Sequence, residues 1–276
     1  MQASYKCFVK IESGHFIMKK MHHHFSGVAR KYRGLRTTDI EPLLFIKEQL
    51  GKLRKLEAAD VGCGTGRYDL KFFRYLGERL YLHCIDSNEE MLKQLNEYLG
   101  QHKIKNFTTV KAIASDLPLK DDSIDCVFTF NAIHHFQPLG FLSETSRILK
   151  DKGYLFIYTR LRSQNSRNIW GRFFPLFSQK ETRLYELDGL RSILQSIPKL
   201  KIESIESFKY KRVSSLDNLV DKAKNHHYST FYLYAKEELE QSLIEFKQNL
   251  RKRFKDPKNI IWHNENILFV VSKQAV

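Results

Sequence analysis

Apolar and polar positions along the chain follow two periods. Short, nearly unbroken apolar runs occur at 56–61, 80–85, 107–114, 124–130 and 154–159. Runs of this length between Gly, Asp and Asn punctuation predict strands, and unbroken ones predict strands covered on both faces. Between them the apolar spacing changes to three and four, as in Leu43, Leu44, Ile46 and Leu50. That spacing predicts amphipathic helices over 38–53, 67–76, 87–99 and 138–150. Strand and helix alternate through 55–160, which predicts a mostly parallel α/β sheet. Past Arg160 the order changes. A stretch rich in Arg, Asn and aromatics (161–177) precedes a helix at 181–197, ended by Pro198, and a sixth strand at 200–210. Helices at 214–224 and 236–254 and a last strand at 266–272 complete the pattern. Residues 211–260 therefore read as a helical insertion that caps a site and selects what enters it.

The first strand runs into Asp60-Val61-Gly62-Cys63-Gly64-Thr65-Gly66-Arg67. A strand, a glycine turn and a helix make a site for a nucleotide-like ligand, because glycine lets the backbone bend and lets a ligand approach the peptide planes. The spacing is neither G-x-G-x-x-G nor the P-loop pattern, which ends in Gly-Lys-Ser/Thr. The second strand ends in Asp86, twenty residues after Gly66. A carboxylate there accepts hydrogen bonds from the two hydroxyls of a ribose. Its competing use is as a helix cap. Ser87 and Glu90 form an S-x-x-E capping box of their own, which leaves Asp86 for a ligand. Asn131 follows the fourth strand, at the carboxyl edge where parallel sheets hold ligands. His134 and His135 come next. Each is a candidate proton acceptor during transfer to a hydroxyl, acid or amine, or a structural histidine bonded to backbone.

Taken together, D-x-G-x-G-x-G, the acidic end of the second strand, Leu117-Pro118 and Asn131 resemble class I S-adenosylmethionine-dependent methyltransferases. The likeness is to the broad small-molecule kind (methyltransferase type 11, UbiE-like and trans-aconitate-methyltransferase-like), and it is good over 25–160 and looser beyond. It implies a Rossmann-like seven-stranded sheet, mostly parallel, with an antiparallel last strand and a helical cap. It implies S-adenosyl-L-methionine as cofactor, held by Asp60, Gly62, Cys63, Gly64, Gly66, Asp86, Ser87, Ala114, Ser115 and Asn131. It further implies a lid in F-x-x-x-A-x-x-Y-x-x-x-R, with Tyr32 and Arg36 over the cofactor. One departure stands out: Ile113 occupies the position where the family has an acidic residue facing adenine. No N/D-P-P-Y-type sequence is present, which argues against methylation of a base amino group.

On this reading the chain divides into an extension (1–24), lid helices (25–54), a cofactor core (55–160) and a substrate-side part (161–276). The formal net charge of +15 fits a nucleic acid, an anionic membrane surface, a phosphorylated substrate, or simply a well-charged surface. A small-molecule acceptor is favoured, with RNA as the alternative and a non-catalytic cofactor-binding module as a third reading. His22-His23-His24 lacks a carboxylate or cysteine at ligand spacing, and no metal is expected. The four cysteines are scattered, as free thiols in a reducing cytoplasm would be. No run approaches a membrane span.

Overall fold

The computed structural model describes residues 25–275 apart from 28, 32, 35 and 52. Tyr32 and His22-His23-His24 lie outside the described residues. The strands are β1 (Leu56–Val61), β2 (Leu80–Asp86), β3 (Phe107–Lys111), β4 (Ile124–Phe130), β5 (Leu149–Thr159), β6 (Leu200–Ser214) and β7 (Ile260–Lys273). They form one seven-stranded sheet in the order β3-β2-β1-β4-β5-β7-β6. Pairing is parallel from β3 across to β5, and β7 runs antiparallel to both β5 and β6. The expected sheet is thus observed. Because the chain winds outward from β1 to β3 and then returns to β4 on the other side of β1, the connections part between β1 and β4. That parting leaves a crevice at the carboxyl ends of the two strands.

The helices follow from local signals. α1 (Glu41–Gln49) has Pro42 in its first turn, and α2 (Asp69–Leu76) stops at Gly77 with φ 74°. α3 (Glu89–Gln101) and α4 (Pro138–Ile148) are capped by the side chains of Asn88 and Gln137, which accept from the amides of Met91 and Gly140. The capping box expected from Ser87 and Glu90 is not used: Asn88 is the cap.

Alternate residues on the strands feed two core layers, as the period of two requires. Ala58, Cys126, Phe128 and Phe156 face the layer shared with α1, α2 and α3, where Phe72 stacks on Phe128 at 4.1 Å. Ala59, Val127, Leu155 and Ile157 face the opposite layer with α4 and α8 (Leu187–Gln195). Both faces are covered, so the strands read as unbroken apolar runs.

A third core lies off the sheet. It joins α6 (Ile169–Phe173) and α7 (Phe177–Lys180), which follow α5 (Arg162–Arg167), to α9 (Leu216–Lys224) and α10 (Lys236–Arg253). Trp170 stacks on Phe246 at 5.2 Å at its centre. β6 and β7 are longer than their apolar stretches predict. They pair from Leu200↔Lys273 to Ser214↔Ile260, whereas β7 meets β5 only over residues 267–272. The extra ladder projects past the sheet on the side of the β5 carboxyl end and carries the helical insertion with it. The helix expected over 181–197 is shorter, because Glu181 is buried against Arg183 and Thr230 instead of starting a helix.

Candidate active site

The three glycines of the turn answer three local demands. Gly62 has φ 79°, and its amide donates to the Ile85 carbonyl at 2.8 Å. A Cβ there would lie 2.5 Å from Ala132 Cβ, so glycine lets β1 pass the segment after β4. A Cβ on Gly66 would meet Leu95 Cγ at 3.0 Å. Gly64, with φ 58°, would place a Cβ in open space, with nothing within 4 Å. Its amide donates to Asp86 Oδ2 at 2.9 Å, and the Asn88 amide donates to Asp86 Oδ1 at 2.9 Å. Asp86 therefore ties the turn to the end of β2. It also serves the start of α3, a duty the sequence reading had given to Ser87 and Glu90.

Beneath the turn, buried carboxyls gather. Asp60 is 1 % exposed, and its Oδ1 has no hydrogen-bond partner among the described residues. Burial pushes its carboxyl well above the usual range, and Asp69 and Asp86 push it further. Asp69 accepts a contact from Cys84 Sγ at 3.1 Å and is pushed up to about 7, chiefly by burial. Burial also raises the Cys63 thiol.

The carboxyl end of β4 completes this side. Asn131 adopts φ 56°, its amide donates to the Tyr158 carbonyl at 2.7 Å, and its Oδ1 lies 3.5 Å from Asn266 Nδ2. His134 and His135 form a short 3-10 turn with ring centroids 4.1 Å apart. Desolvation, together with Arg183 and Arg36, holds both imidazoles well below their ordinary value. His134 Nδ1 has no partner among the described residues. The loop after β3 starts beside Asp86, where the Ala112 amide donates to the Asp86 carbonyl at 3.2 Å. Ala114 is half-buried and Ser115 exposed in that loop, and Ile113 is 57 % exposed. Arg147 fixes its far end by donating to the carbonyls of Leu117 and Leu119 at 2.8 and 2.7 Å.

The N-terminal stretch, helical at 25–27, 29–31 and 33–34, lies against the turn. Arg33 donates to the carbonyls of Thr65 and Gln94 at 2.9 and 3.1 Å, and its guanidinium sits 4.1 Å over the Tyr98 ring. Phe25 meets the His135 ring edge-on at 5.2 Å. Arg36 sits 4.4 Å over the Tyr228 ring.

A cavity of about 170 Å³ opens between the sheet edge and the helical insertion. Asn131 and His134 line it from the sheet, Arg36 from the N-terminal stretch, Arg67 from beside the glycine turn, and Trp170 and Tyr228 from the helical core off the sheet. His135 is not among the lining residues.

Residues 59–157 match the family described as "Methyltransferase domain". Similar curated proteins include the ubiquinone/menaquinone biosynthesis C-methyltransferase UbiE of Proteus mirabilis, 34 % identical over 112 residues. That match covers 40 % of this chain and 45 % of the relative. The uncharacterized methyltransferase YcgJ of Bacillus subtilis is 30 % identical over 95 residues, covering 34 % of this chain and 36 % of the relative. The chain thus matches less than half the length of these two relatives. The fold is shared with the solved YcgJ protein (TM-score 0.60, 16 % identity, 86 % of this chain and all of that one). It is also shared with a SAM-dependent methyltransferase from Aquifex aeolicus (TM-score 0.51, 22 % identity, 68 % of this chain and 92 % of that one). Residues 59–157 are a methyltransferase domain.

The cofactor of such a domain is S-adenosylmethionine. The residues present fit it. The open face at Gly64 offers room where a side chain would intrude, and the unpartnered Oδ1 of buried Asp60 lies at the end of the strand that feeds the turn. Other features of the candidate site escape sequence reasoning. Asn88 was hidden by the neighbouring S-x-x-E pattern. Arg33 has no local mark, because its partners are backbone carbonyls far along the chain. Arg160 carried one usable signal, as the first polar residue after the apolar run of β5 and so at the ligand-binding edge of the sheet. Tyr228 carried none.

Proposed function

We propose that the chain is an S-adenosylmethionine-dependent methyltransferase whose acceptor is a small molecule held in the cavity beneath the helical insertion. The observation that carries this reading is the cavity itself: one space is walled jointly by residues beside the glycine turn and by the insertion. In this proposal residues 25–54 form the lid, 55–160 the cofactor core, and 161–276 the acceptor side, with 1–24 as an extension. The turn residues Gly62, Cys63, Gly64 and Gly66 offer backbone groups to the cofactor, Asp86 and Ser87 face its ribose, and Ala114 and Ser115 border its base. Asp60 and Asn131 serve its methionine end, with Tyr32 and Arg36 as cover. The cofactor supplies a methyl group on a sulfonium leaving group. What the chain contributes is alignment of acceptor and methyl, exclusion of water, and a place for any released proton. We assign that proton to His134, which lines the cavity, and give His135 a packing role. The imidazole is a weak base there, which suits an acceptor whose proton is already acidic. The buried free thiols Cys63, Cys84 and Cys126 suit a reducing cytoplasm. Among the described residues no helix is long and apolar enough to cross a membrane.

The test is label transfer from methyl-labelled S-adenosylmethionine in cell extract, followed by fractionation. Label in organic-soluble small molecules is the expected result. Label in ribonuclease-sensitive material would replace the acceptor class by RNA, and failure to bind S-adenosylhomocysteine would overturn the cofactor assignment.

A further inference from the structure

The cavity wall has more positive than negative charge, and its carboxylates are already engaged. Five cationic side chains line it: Arg36, Arg67, Arg160, Arg212 and Lys222. The two carboxylates among the lining residues are Asp39 and Glu181. Asp39 pairs with Arg212 and accepts from the Tyr158 hydroxyl at 2.7 Å. Glu181 pairs with Arg183 and accepts from the Thr230 hydroxyl at 2.6 Å. Arg67, Arg160 and Lys222 then have no carboxylate within ion-pair distance among the described residues.

Arg160 is the most telling of these. Its Nη1 lies 3.3 Å from the Tyr228 hydroxyl, and its Nε lies 3.3 Å from Asn266 Oδ1 and 3.4 Å from the Glu265 carbonyl. All these acceptors are neutral and all the bonds are long. A half-buried guanidinium held this way keeps most of its demand for an anion. The neighbouring groups register the same field. Burial alone would raise the Tyr228 hydroxyl, yet Arg160 and Arg36 bring it below its ordinary value. His227, also in the wall, is held well below its ordinary value by desolvation and then by Arg36. The same wall carries aromatic rings, Trp170, Phe177, Tyr228 and Trp262, the first two packed against Tyr228. Such a surface takes the flat or apolar body of a ligand.

We propose that the acceptor carries an anionic oxygen group, carboxylate or phosphate, which Arg160 receives with Lys222 and Arg67 while the aromatic wall holds its apolar body. This rests on the methyltransferase reading for the word acceptor only; the anion site stands on the cavity by itself. Arg160 is a specificity-determining residue in this proposal, and its neutral partners Tyr228 and Asn266 leave its charge available.

The experiment titrates benzoate, phenyl phosphate and the neutral benzamide by calorimetry, with the protein alone and with S-adenosylhomocysteine bound. The expected result is that one or both anions bind at least about tenfold more tightly than benzamide, as a charged hydrogen bond implies. Arg160→Gln should abolish the preference and Arg160→Lys should keep part of it. Because Arg160 also touches the β7 backbone, Lys222→Gln supplies a second variant on α9, expected to cut anion binding about threefold. Benzoate preferred over phenyl phosphate assigns a carboxylate acceptor, and the reverse assigns a phosphate. Benzamide binding as tightly as both anions, or a preference that survives both Arg160→Gln and Lys222→Gln, overturns the proposal. Failure of S-adenosylhomocysteine to bind strikes the methyltransferase reading alone, because the anion preference is measured without it as well.

Discussion

The floor of the glycine turn and the wall of the cavity bury ionisable groups of opposite kinds. Under the turn, burial pushes Asp60 and Asp69 toward the protonated form, and Asp86 pushes both further. In and beside the cavity wall, His134, His227 and the adjacent His135 are pushed toward the neutral form by desolvation and then by neighbouring guanidiniums. The scaffolds differ as well. The turn is held by backbone amides and one carboxylate within two adjacent βα units. The cavity is held by an aromatic core that the sheet layers do not share. The contrast teaches that the cofactor side is a product of backbone conformation, whereas the acceptor side is a product of side-chain packing. The two should therefore fail separately.

The largest expected effect tests that separation directly. Phe246 is fully buried between Trp170 and Phe174 in the insertion and does not line the cavity. Phe246→Ala should cost about 3–5 kcal/mol in denaturant unfolding, as for other buried aromatics. Methyl transfer should be lost while S-adenosylhomocysteine affinity stays within about threefold, the margin set for an undisturbed site. A collapse of cofactor affinity would show that the two sides are one unit.

A pair of alanines sharpens the comparison within the turn. Gly62→Ala and Gly64→Ala both place a side chain at positive φ, which costs about 1–2 kcal/mol. Gly62→Ala adds overlap with Ala132 and Phe136, worth roughly 1–3 kcal/mol more. Gly64→Ala meets nothing in the protein, so its added effect should fall on binding, with at least about a tenfold loss of S-adenosylhomocysteine affinity. Equal thermal stability of the two variants would contradict the geometry of the turn.

The opposite pKa directions give opposite slopes of stability with pH. Asp69 holds its proton up to about 7 when folded, against an ordinary carboxyl value of 3.8. Between those values the folded state binds more protons than the unfolded one, so this contribution is lost as pH rises through about 7. The histidines work the other way. The unfolded imidazoles take up protons below 6.5 while the folded ones resist, so stability is lost as pH falls below 6.5. Asp69→Asn should flatten the alkaline limb, gaining about 1–2 kcal/mol at pH 8 relative to pH 5, and leave the acid limb in place. Calorimetric melting across this range reads both limbs, and an unchanged alkaline limb would remove Asp69 from the account.

The smallest effect concerns the N-terminal stretch. Arg33→Ala removes two bonds to the carbonyls of Thr65 and Gln94, one of them in the turn, and the contact over Tyr98. A loss of about 1 kcal/mol is expected, read as faster amide exchange in residues 25–36 with melting of the sheet unchanged. Unaltered exchange would mean that other contacts hold the stretch.

Particular residues show where sequence reading reached and where it stopped. β1 and β4 were legible to the residue, because both faces are covered and the apolar run ends where the sheet ends. The α3 cap was misread, because Ser87, Asn88 and Glu90 compete within one turn and only their backbone angles decide among them. Glu181 was read as helical, because its partner Thr230 comes from an element far along the chain. β6 and β7 outran their apolar stretches, because the outer ladder needs backbone pairing more than burial.

By itself the sequence determined the strands, the alternation with helices that makes a mostly parallel sheet, and the glycine turn. Each of these rests on short-range constraints: residue alternation, positive φ and helix termini. Only the tertiary structure decided which cations lack counter-charges, that His134 rather than His135 lines the cavity, and that Asp86 binds both the turn and the start of α3. Those facts depend on distances between groups that folding brings together, most of them from separate elements. The physical reason is that charge balance in a cavity is a sum over neighbours in space, which the order of residues along the chain does not list.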